Sequence, residues 1–212
     1  MNNIRLLILG ATGGTGQQLV SQALQDGNEV TAFVRNAQRL TTSDEHLHVV
    51  TGSGMDDERS LAESVRGQDA VISALGVGHS LKSGGLIARS IPTIIAAMES
   101  EGVRRLIFIS AYGVGATRSS VPLLPRLLMR TLLRDLYADK ATGEAHLRRS
   151  QLDWTLVYPA TLTNGPRTGQ YRIGEQLALR GIPTVSRADV AHCVLNLVAD
   201  RTYLRRGVLI SQ

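Results

Sequence analysis

Residues 4–16 read IRLLILGATGGTG, an apolar run that passes directly into a glycine-rich turn. The run, residues 4–9, predicts a strand buried on both faces, as in a parallel sheet. Apolar residues then recur at helical spacing until Gly27, which predicts a helix that ends there. A second apolar run at 29–34 completes a β-α-β unit, with the glycines joining its first strand to its helix.

The same alternation of strands and helices continues along the chain, and Ser186 with Asp189 forms a helix-capping pattern. This alternation predicts an α/β fold with a doubly wound, mostly parallel sheet, in one Rossmann-type domain over residues 1–212. No element is predicted over 159–174, which is rich in Gly, Pro and Thr. The further predicted strands are 48–51, 70–74, 106–110, 155–158 and 208–210, and the further helices are 57–65, 87–99, 139–150 and 190–198.

The composition narrows the class of protein. The net charge is +5, but aromatic residues make up only 4%, so an anionic small ligand is favoured and no nucleic-acid partner is expected. No apolar run reaches the ~18 residues that span a bilayer, and no signal-peptide pattern precedes the first strand. We therefore expect a cytoplasmic monomer or homodimer without a membrane partner. The single cysteine, Cys193, lies in an apolar run, and the histidines lack metal-ligand spacing, so no metal is expected.

The glycine-rich turn predicts a binding site for the pyrophosphate of a nicotinamide dinucleotide. Its spacing, Gly-x-x-Gly-x-x-Gly, allows a tight turn, close approach of the pyrophosphate and close packing of the helix on the sheet. The helix N-terminus presents free N–H groups to the phosphates, and two threonine hydroxyls can add donors. The predicted contacts in the turn are Gly10, Thr12, Gly13, Gly14, Thr15 and Gly16.

The residues after the second strand favour NADP(H) over NAD(H). An acidic residue at this place would hold the ribose 2′-hydroxyl and repel a 2′-phosphate. The chain instead has Arg35, with Arg39 one helical turn further on and no carboxylate nearby. Arginine pairs with phosphate through a planar fork, although a solvated surface charge is the alternative interpretation.

Ligands of such sheets lie at the carboxyl ends of the strands, which predicts further contacts. The residues after the third strand are expected at the edge of the adenine, and those after the fourth strand beside the nicotinamide half. They are Ser53, Gly54 and Met55, followed by Leu75 and Gly76.

The chain resembles the atypical short-chain dehydrogenases, in particular the NmrA-like group and the biliverdin-IXβ reductase/flavin reductase group. The resemblance covers nearly the whole chain and implies a Rossmann domain that binds NADP(H), with a small pocket over the nicotinamide. The reductase branch implies hydride transfer to flavins or linear tetrapyrroles. The segments that carry it include GATGGTG at 10–16, VRNAQRL at 34–40, GQDAVI at 67–72, TGQY at 168–171 and DVAH at 189–192.

The resemblance also implies roles for residues in the second half of the chain. Ser110 matches the serine that lines the nicotinamide pocket, and Pro159, Thr161 and Leu162 match the loop that closes its nicotinamide side. Lys140 is what many NmrA-like relatives carry, whereas the reductase has histidines at Lys140 and Thr161. It also has an acidic residue where this chain has Ser53, so these differences leave the substrate open.

Three residues are candidates for the chemical step. No tyrosine has a lysine four positions on, but Tyr137 and Lys140 share a helix face, so Lys140 is a candidate to hold the nicotinamide ribose or lower the pKa of a hydroxyl. Ser110 is a candidate to bind a substrate carbonyl or the carboxamide. Tyr112 is a candidate to donate a proton or stack on a flat substrate. The alternative interpretations are that Lys140 is a surface residue and that Ser110 forms a hydrogen bond with a backbone group at the end of a strand.

A flavin needs little acid catalysis, because hydride goes directly to the ring and water can supply the proton. We therefore expect an NADPH-dependent reductase of a flavin or another flat conjugated acceptor. Two alternatives stay open, a redox sensor or scaffold that binds NADP(H) without catalysis and a reductase of another carbonyl substrate. Residues 122–137 carry Arg126, Arg130 and Arg134 on an apolar stretch, which predicts a packed helix with one wet face, a lid or a dimer face. His79 is a further candidate to reach the pocket.

Overall fold

The computed structural model describes residues 3–78, 80–120, 133–179 and 181–212. Short 3₁₀ helices lie at Ala37–Arg39 and Gly115–Ser120. The strands are β1 (Arg5–Leu9), β2 (Glu29–Val34), β3 (Leu47–Thr51), β4 (Ala70–Ser73), β5 (Arg105–Ile109), β6 (Asp153–Pro159), β7 (Thr161–Thr163), β8 (Arg172–Gly174), β9 (Thr184–Ser186) and β10 (Arg206–Ser211). The helices are α1 (Gly14–Gln25), α2 (Glu58–Val65), α3 (Leu86–Ser100), α4 (Arg134–Arg149) and α5 (Arg187–Ala199).

The main sheet has the strand order β3-β2-β1-β4-β5-β6-β10-β8. All its neighbouring strands are parallel except β8, which runs antiparallel to β10. The chain winds outward from β1 to β3, then returns to the other side of β1 with β4, so the direction of winding reverses between β1 and β4. This arrangement confirms the predicted doubly wound, mostly parallel α/β fold.

Two apolar layers cover the sheet, one on each face. Side chains alternate along β1, so that Ile8 packs with α1 and α5 while Leu7 and Leu9 pack with α2, α3 and α4. All three are fully buried, as expected for a strand that is covered on both faces. The sheet therefore leaves its carboxyl edge, rather than a face, for a ligand.

Helix α3 begins without a side-chain cap of its own, because its N-cap residue is Gly85. The buried carboxylate of Asp139 on α4 takes that role. Its Oδ2 accepts from the backbone N–H of Ile87 at 3.0 Å, and its Oδ1 accepts from Ala88 at 2.8 Å. One helix thus satisfies the free N–H groups of its neighbour, which fixes α3 and α4 against each other.

Several predicted boundaries are corrected by the structure. Helix α4 begins at Arg134, five residues before the predicted start at 139, and the stretch 159–174 contains β7 and β8. Strand β9 was also not predicted. The predicted cap of α5 is confirmed, since the Ser186 side chain accepts from the backbone N–H of Asp189.

Some sequence expectations fall outside the described residues. They concern His79, Arg126 and Arg130, together with most of the segment 122–137. Arg134 is described and lies exposed at the start of α4. Among the helices that the structure describes, none is long and apolar enough to cross a membrane.

Candidate active site

The predicted contact residues gather along one edge of the main sheet. The glycine-rich turn follows β1, the arginine pair follows β2, and the next two groups follow β3 and β4. Ser110 directly follows β5, and Pro159 is the last residue of β6. Thr161 and Leu162 lie in β7, whose parallel pairing with β9 forms a separate two-stranded sheet. The doubly wound topology therefore brings the residues that follow β1, β2, β3, β4 and β5 and the end of β6 to one edge of the main sheet.

The glycines of the turn are required by close contacts. Gly10 has a φ of +81°, and a Cβ there would lie 2.6 Å from the carbonyl oxygen of Ala74. A Cβ on Gly16 would collide with the carbonyl of Gly10, so α1 lies close on the turn. These positions hold backbone against backbone, which leaves the front of the turn open for a phosphate.

The N-terminus of α1 is suited to an anion. Its N-cap, Gly13, supplies no side-chain cap, and the first turn of the helix carries no acidic residue. Thr12 and Thr15 are partly exposed beside it. Unsatisfied N–H groups and the partial positive charge of the helix end fit the pyrophosphate of a dinucleotide, so the residues present fit the predicted cofactor.

Arg35 follows β2 directly and Arg39 is the last residue of the short 3₁₀ helix, and both are exposed. Within the described part of the chain, neither guanidinium forms an ion pair. Gln17 links this segment to the glycine-rich turn, because its Nε2 donates to the carbonyls of both Thr12 and Arg39 at 3.4 Å. Both arginines are thus close in the fold to the pyrophosphate turn and have no carboxylate to satisfy.

The predicted contacts at the edge of the adenine and beside the nicotinamide half lie in the loops after β3 and β4. The backbone N–H of Ser53 donates to the Asp57 carboxylate at 3.3 Å, which ties the loop to the start of α2. Met55 is partly buried against the apolar core. Leu75 is partly buried and Gly76 exposed, so a ligand has access to this loop.

A buried carboxylate lies behind the site. Glu144 on α4 is 2% exposed, and its Oε1 accepts from the Ser110 hydroxyl at 2.6 Å. Its Oε2 accepts from the Tyr158 hydroxyl at 2.8 Å and lies 3.6 Å from Nη2 of Arg148. A Cβ on Gly115 would collide with this carboxylate, so the loop after β5 must be close to it. The network fixes the direction of the Ser110 hydroxyl.

Lys140 lies one helical turn before Glu144 and reaches the end of β5. Its Nζ donates to the carbonyl of Ile109 at 3.3 Å and lies 5.5 Å from the centre of the Phe108 ring. Burial lowers the pKa of Lys140 to about 8, although the carboxylates of Glu144 and Asp139 oppose that shift. A lysine with this pKa changes its charge near neutral pH, which suits a group that acts on a cofactor or substrate.

The two tyrosines of the site hold the loop after β5. The Tyr137 hydroxyl donates to the carbonyl of Tyr112 at 3.1 Å, and the backbone N–H of Tyr112 donates to the carbonyl of Pro159 at 3.0 Å. Burial raises the pKa of both phenols, so both remain protonated at neutral pH. Tyr137 therefore positions the loop that carries Ser110 and Tyr112.

Two groups of functional interest were missed from the sequence. No role was predicted for Glu144, although Lys140, Glu144 and Arg148 recur every fourth residue and so share one helix face. Arg187, whose side chain lies against Gly14, has no such signal because the two residues are far apart in the chain. No group of His, Cys, Asp and Glu among the described residues could hold a metal ion.

Comparison with known proteins assigns the family. Residues 10–201 match the model of a family described as NAD(P)H-binding. The chain belongs to this family, among the atypical short-chain dehydrogenases/reductases, which is a class of NAD(P)H-dependent oxidoreductases.

The curated relatives are distant. An uncharacterised chloroplast protein of Arabidopsis thaliana is 29% identical over 78% of this chain, which spans only 61% of that relative's length. The uncharacterised protein YwnB of Bacillus subtilis is 26% identical, and 91% of each chain is covered.

Solved structures agree with the fold. A short-chain dehydrogenase/reductase from Veillonella parvula has a TM-score of 0.84 at 21% identity, covering 99% of this chain and 94% of its own. The same bacterium's wide-type structure in complex with NADP has a TM-score of 0.82 at 22% identity, with 99% and 94% covered. ChuY from Escherichia coli O157:H7, named an anaerobillin reductase, has a TM-score of 0.79 at 24% identity, with 97% and 96% covered.

Proposed function

We propose that the chain is an NADPH-dependent reductase that transfers hydride to a flavin or another flat conjugated acceptor, such as a linear tetrapyrrole. One observation carries the choice of acceptor. The Ser110 hydroxyl donates to Glu144 and the Tyr137 hydroxyl donates to a backbone carbonyl, so neither is directed at a substrate as an acid. An acceptor that takes hydride directly and obtains its proton from water suits such a site.

The preference for NADPH rests on Arg35 and Arg39. Both are exposed beside the pyrophosphate turn, and no carboxylate of the described chain pairs with them. A 2′-phosphate there would gain two charge-assisted contacts, whereas NADH would gain none. The NADP complex of the structurally similar Veillonella parvula protein supports this cofactor.

The bound dihydronicotinamide supplies the hydride. The turn from Gly10 to Gly16 holds the pyrophosphate and so fixes where the nicotinamide half lies along the sheet edge. Lys140, at the end of β5, holds the nicotinamide ribose, and the Ser110 hydroxyl, fixed by Glu144, lines the pocket beside it. Pro159, Thr161 and Leu162 close the nicotinamide side, and the Tyr112 ring offers a surface on which a flat acceptor stacks. ChuY, which shares the fold, is named a reductase.

The test is a steady-state assay with purified protein, NADPH and FMN, followed as loss of absorbance at about 340 nm. We expect NADPH oxidation that depends on FMN, a much lower rate with NADH at equal concentration, and a smaller preference for NADPH in Arg35→Ala. Arg201→Ala is the matched control, because Arg201 pairs with Asp153 at the opposite edge of the sheet.

The outcomes separate the proposals. Calorimetric binding of NADPH without turnover of any flavin or tetrapyrrole would contradict the reductase and favour a sensor that binds the cofactor without catalysis. Turnover of an aldehyde or ketone, but not of FMN, would contradict the flat acceptor and favour the carbonyl reductase.

A further inference from the structure

We propose that Arg187, the first residue of α5, binds the pyrophosphate of the cofactor from the side opposite α1. The inference deepens the proposed function and rests on the same cofactor, but it concerns a residue outside the glycine-rich turn and outside the arginine pair after β2. It adds a cationic contact that NADPH and NADH share.

The position of Arg187 is defined by the turn itself. A Cβ on Gly14 would lie 2.9 Å from Cδ and 3.0 Å from Nε of Arg187. Helices α1 and α5 are also fixed side by side, since Nε2 of Gln22 donates to the carbonyl of Ala188 at 3.0 Å. The guanidinium of Arg187 therefore lies over the N-terminus of α1, where the pyrophosphate of a dinucleotide is expected.

The charge of Arg187 is not balanced by the protein. Its Nη1 donates to the Asn164 side-chain oxygen at 2.7 Å, and no ion pair to it occurs in the described ranges. A cation at a helix N-terminus is disfavoured by the helix dipole, and here two such ends are close together. The neighbouring carboxylate of Asp189 accepts from Thr168, Gly169 and Ser186 instead. An anion bound between the N-termini of α1 and α5 offsets the positive charge of Arg187 and of the two helix ends.

Two anchors hold the side chain in place. The backbone at Arg187 is fixed by the cap of Ser186, and Asn164 directly follows β7, the partner of the strand that leads into α5. The bond to Asn164 therefore orients the guanidinium while leaving Nε and Nη2 without a hydrogen bond to any described residue. A guanidinium oriented in this way can offer two parallel N–H groups to phosphate oxygens.

The test measures Kd by calorimetry for NADPH, NADH and ADP-ribose, which have the pyrophosphate in common. We expect Arg187→Met to weaken all three by roughly tenfold, because one charge-assisted contact is lost and the side chain keeps its apolar packing. Arg35→Ala should weaken NADPH alone. Asn164→Ala should weaken all three by about threefold, as expected for loss of one orienting hydrogen bond.

Thermal melting without ligand shows whether each variant folds, and Arg201→Met is the control for loss of a positive charge elsewhere. A change of less than about twofold in both Arg187→Met and Asn164→Ala would overturn the proposal, as would a loss confined to NADPH. Loss for NADPH and NADH but not for ADP-ribose would also overturn it, because the effect would then lie on the nicotinamide. Affinity is measured without an acceptor, so failure of flavin turnover does not bear on the result.

Discussion

At the scale of single residues, the site depends on charged residues that lie one helical turn apart on the same face of α4. Glu144 is buried and accepts from Ser110 and Tyr158, and Lys140 lies one turn before it. A buried carboxylate without such partners would cost several kcal/mol, roughly 3–5 where one partner of a buried pair is removed. The network therefore stabilises the fold and, at the same time, determines where the Ser110 hydroxyl points.

The titration of Lys140 predicts a pH dependence. Burial lowers its pKa from the ordinary value of 10.5 to about 8, so the ammonium is present below about pH 8 and is lost above it. Since the proposed role of Lys140 is to hold the cofactor ribose with its ammonium, kcat/KM for NADPH should fall as pH rises through about 8. The measurement is a pH–rate profile from about pH 6 to 10.

Two variants define that profile. Lys140→Arg keeps its charge across the whole range and should remove the fall near pH 8, whereas Lys140→Met should give a low rate without that step. A wild-type profile that is flat through pH 9, or the same fall in Lys140→Met, would assign the titration to another group.

At the scale of elements, the contact between α3 and α4 depends on Asp139. Its carboxylate accepts from two backbone N–H groups at the start of α3. Replacement by alanine leaves the buried N–H of Ile87 and the partly buried N–H of Ala88 without this partner, so the free energy of unfolding should fall by about 1–2 kcal/mol. Urea unfolding, followed by circular dichroism, measures the change.

Asp56→Ala is the matched control, because Asp56 is exposed and makes no described hydrogen bond. It should leave the free energy of unfolding within about 0.5 kcal/mol of the wild-type value. Equal stability of Asp139→Ala and wild type would mean that water replaces the cap at no cost.

Elements with a strong hydrophobic period were predictable from the sequence, and those that depend on distant pairing were not. The buried strands of the parallel sheet were all predicted, because each is a continuous apolar run between turn residues. The missed strands β7, β8 and β9 have three residues each, too few to show a period. The start of α4 was assigned to a separate predicted helix over 122–137, because the sequence does not show that residues 134–137 continue into the helix predicted from 139.

For the candidate site too, the parts that follow from strand order were predictable from the sequence, and the contacts between distant segments were not. Residues 10–16 and Arg35 could be placed because the topology brings the carboxyl ends of parallel strands together. The bond of Ser110 to Glu144 and the position of Arg187 against Gly14 join residues far apart in the chain. Such contacts follow from the packing of helices, which the sequence of either segment alone does not determine.

At the scale of the whole molecule, cofactor binding should stabilise the fold, because the site is formed by residues next to β1 and β4 and by helices on both faces of the sheet. A ligand that binds only the folded chain at 100 times its Kd adds about 2.7 kcal/mol to the free energy of unfolding. We expect NADPH to raise Tm more than NADH at equal concentration, and Arg35→Ala to reduce that difference. Thermal melting at several cofactor concentrations measures it, and equal shifts with both cofactors would contradict a 2′-phosphate contact at Arg35.

The position of β1 inside the sheet has a consequence for the order in which the molecule is assembled. The strand has β2 on one side and β4 on the other, so its second neighbour leaves the ribosome only after residue 70. Ala74, whose carbonyl lies against Gly10, is synthesised later still, and Arg187, which lies against Gly14, follows much further along the chain. Parallel pairings between distant segments form slowly, so the dinucleotide turn is synthesised well before the segments that complete it. The cofactor is therefore expected to bind folded chains in preference to nascent ones.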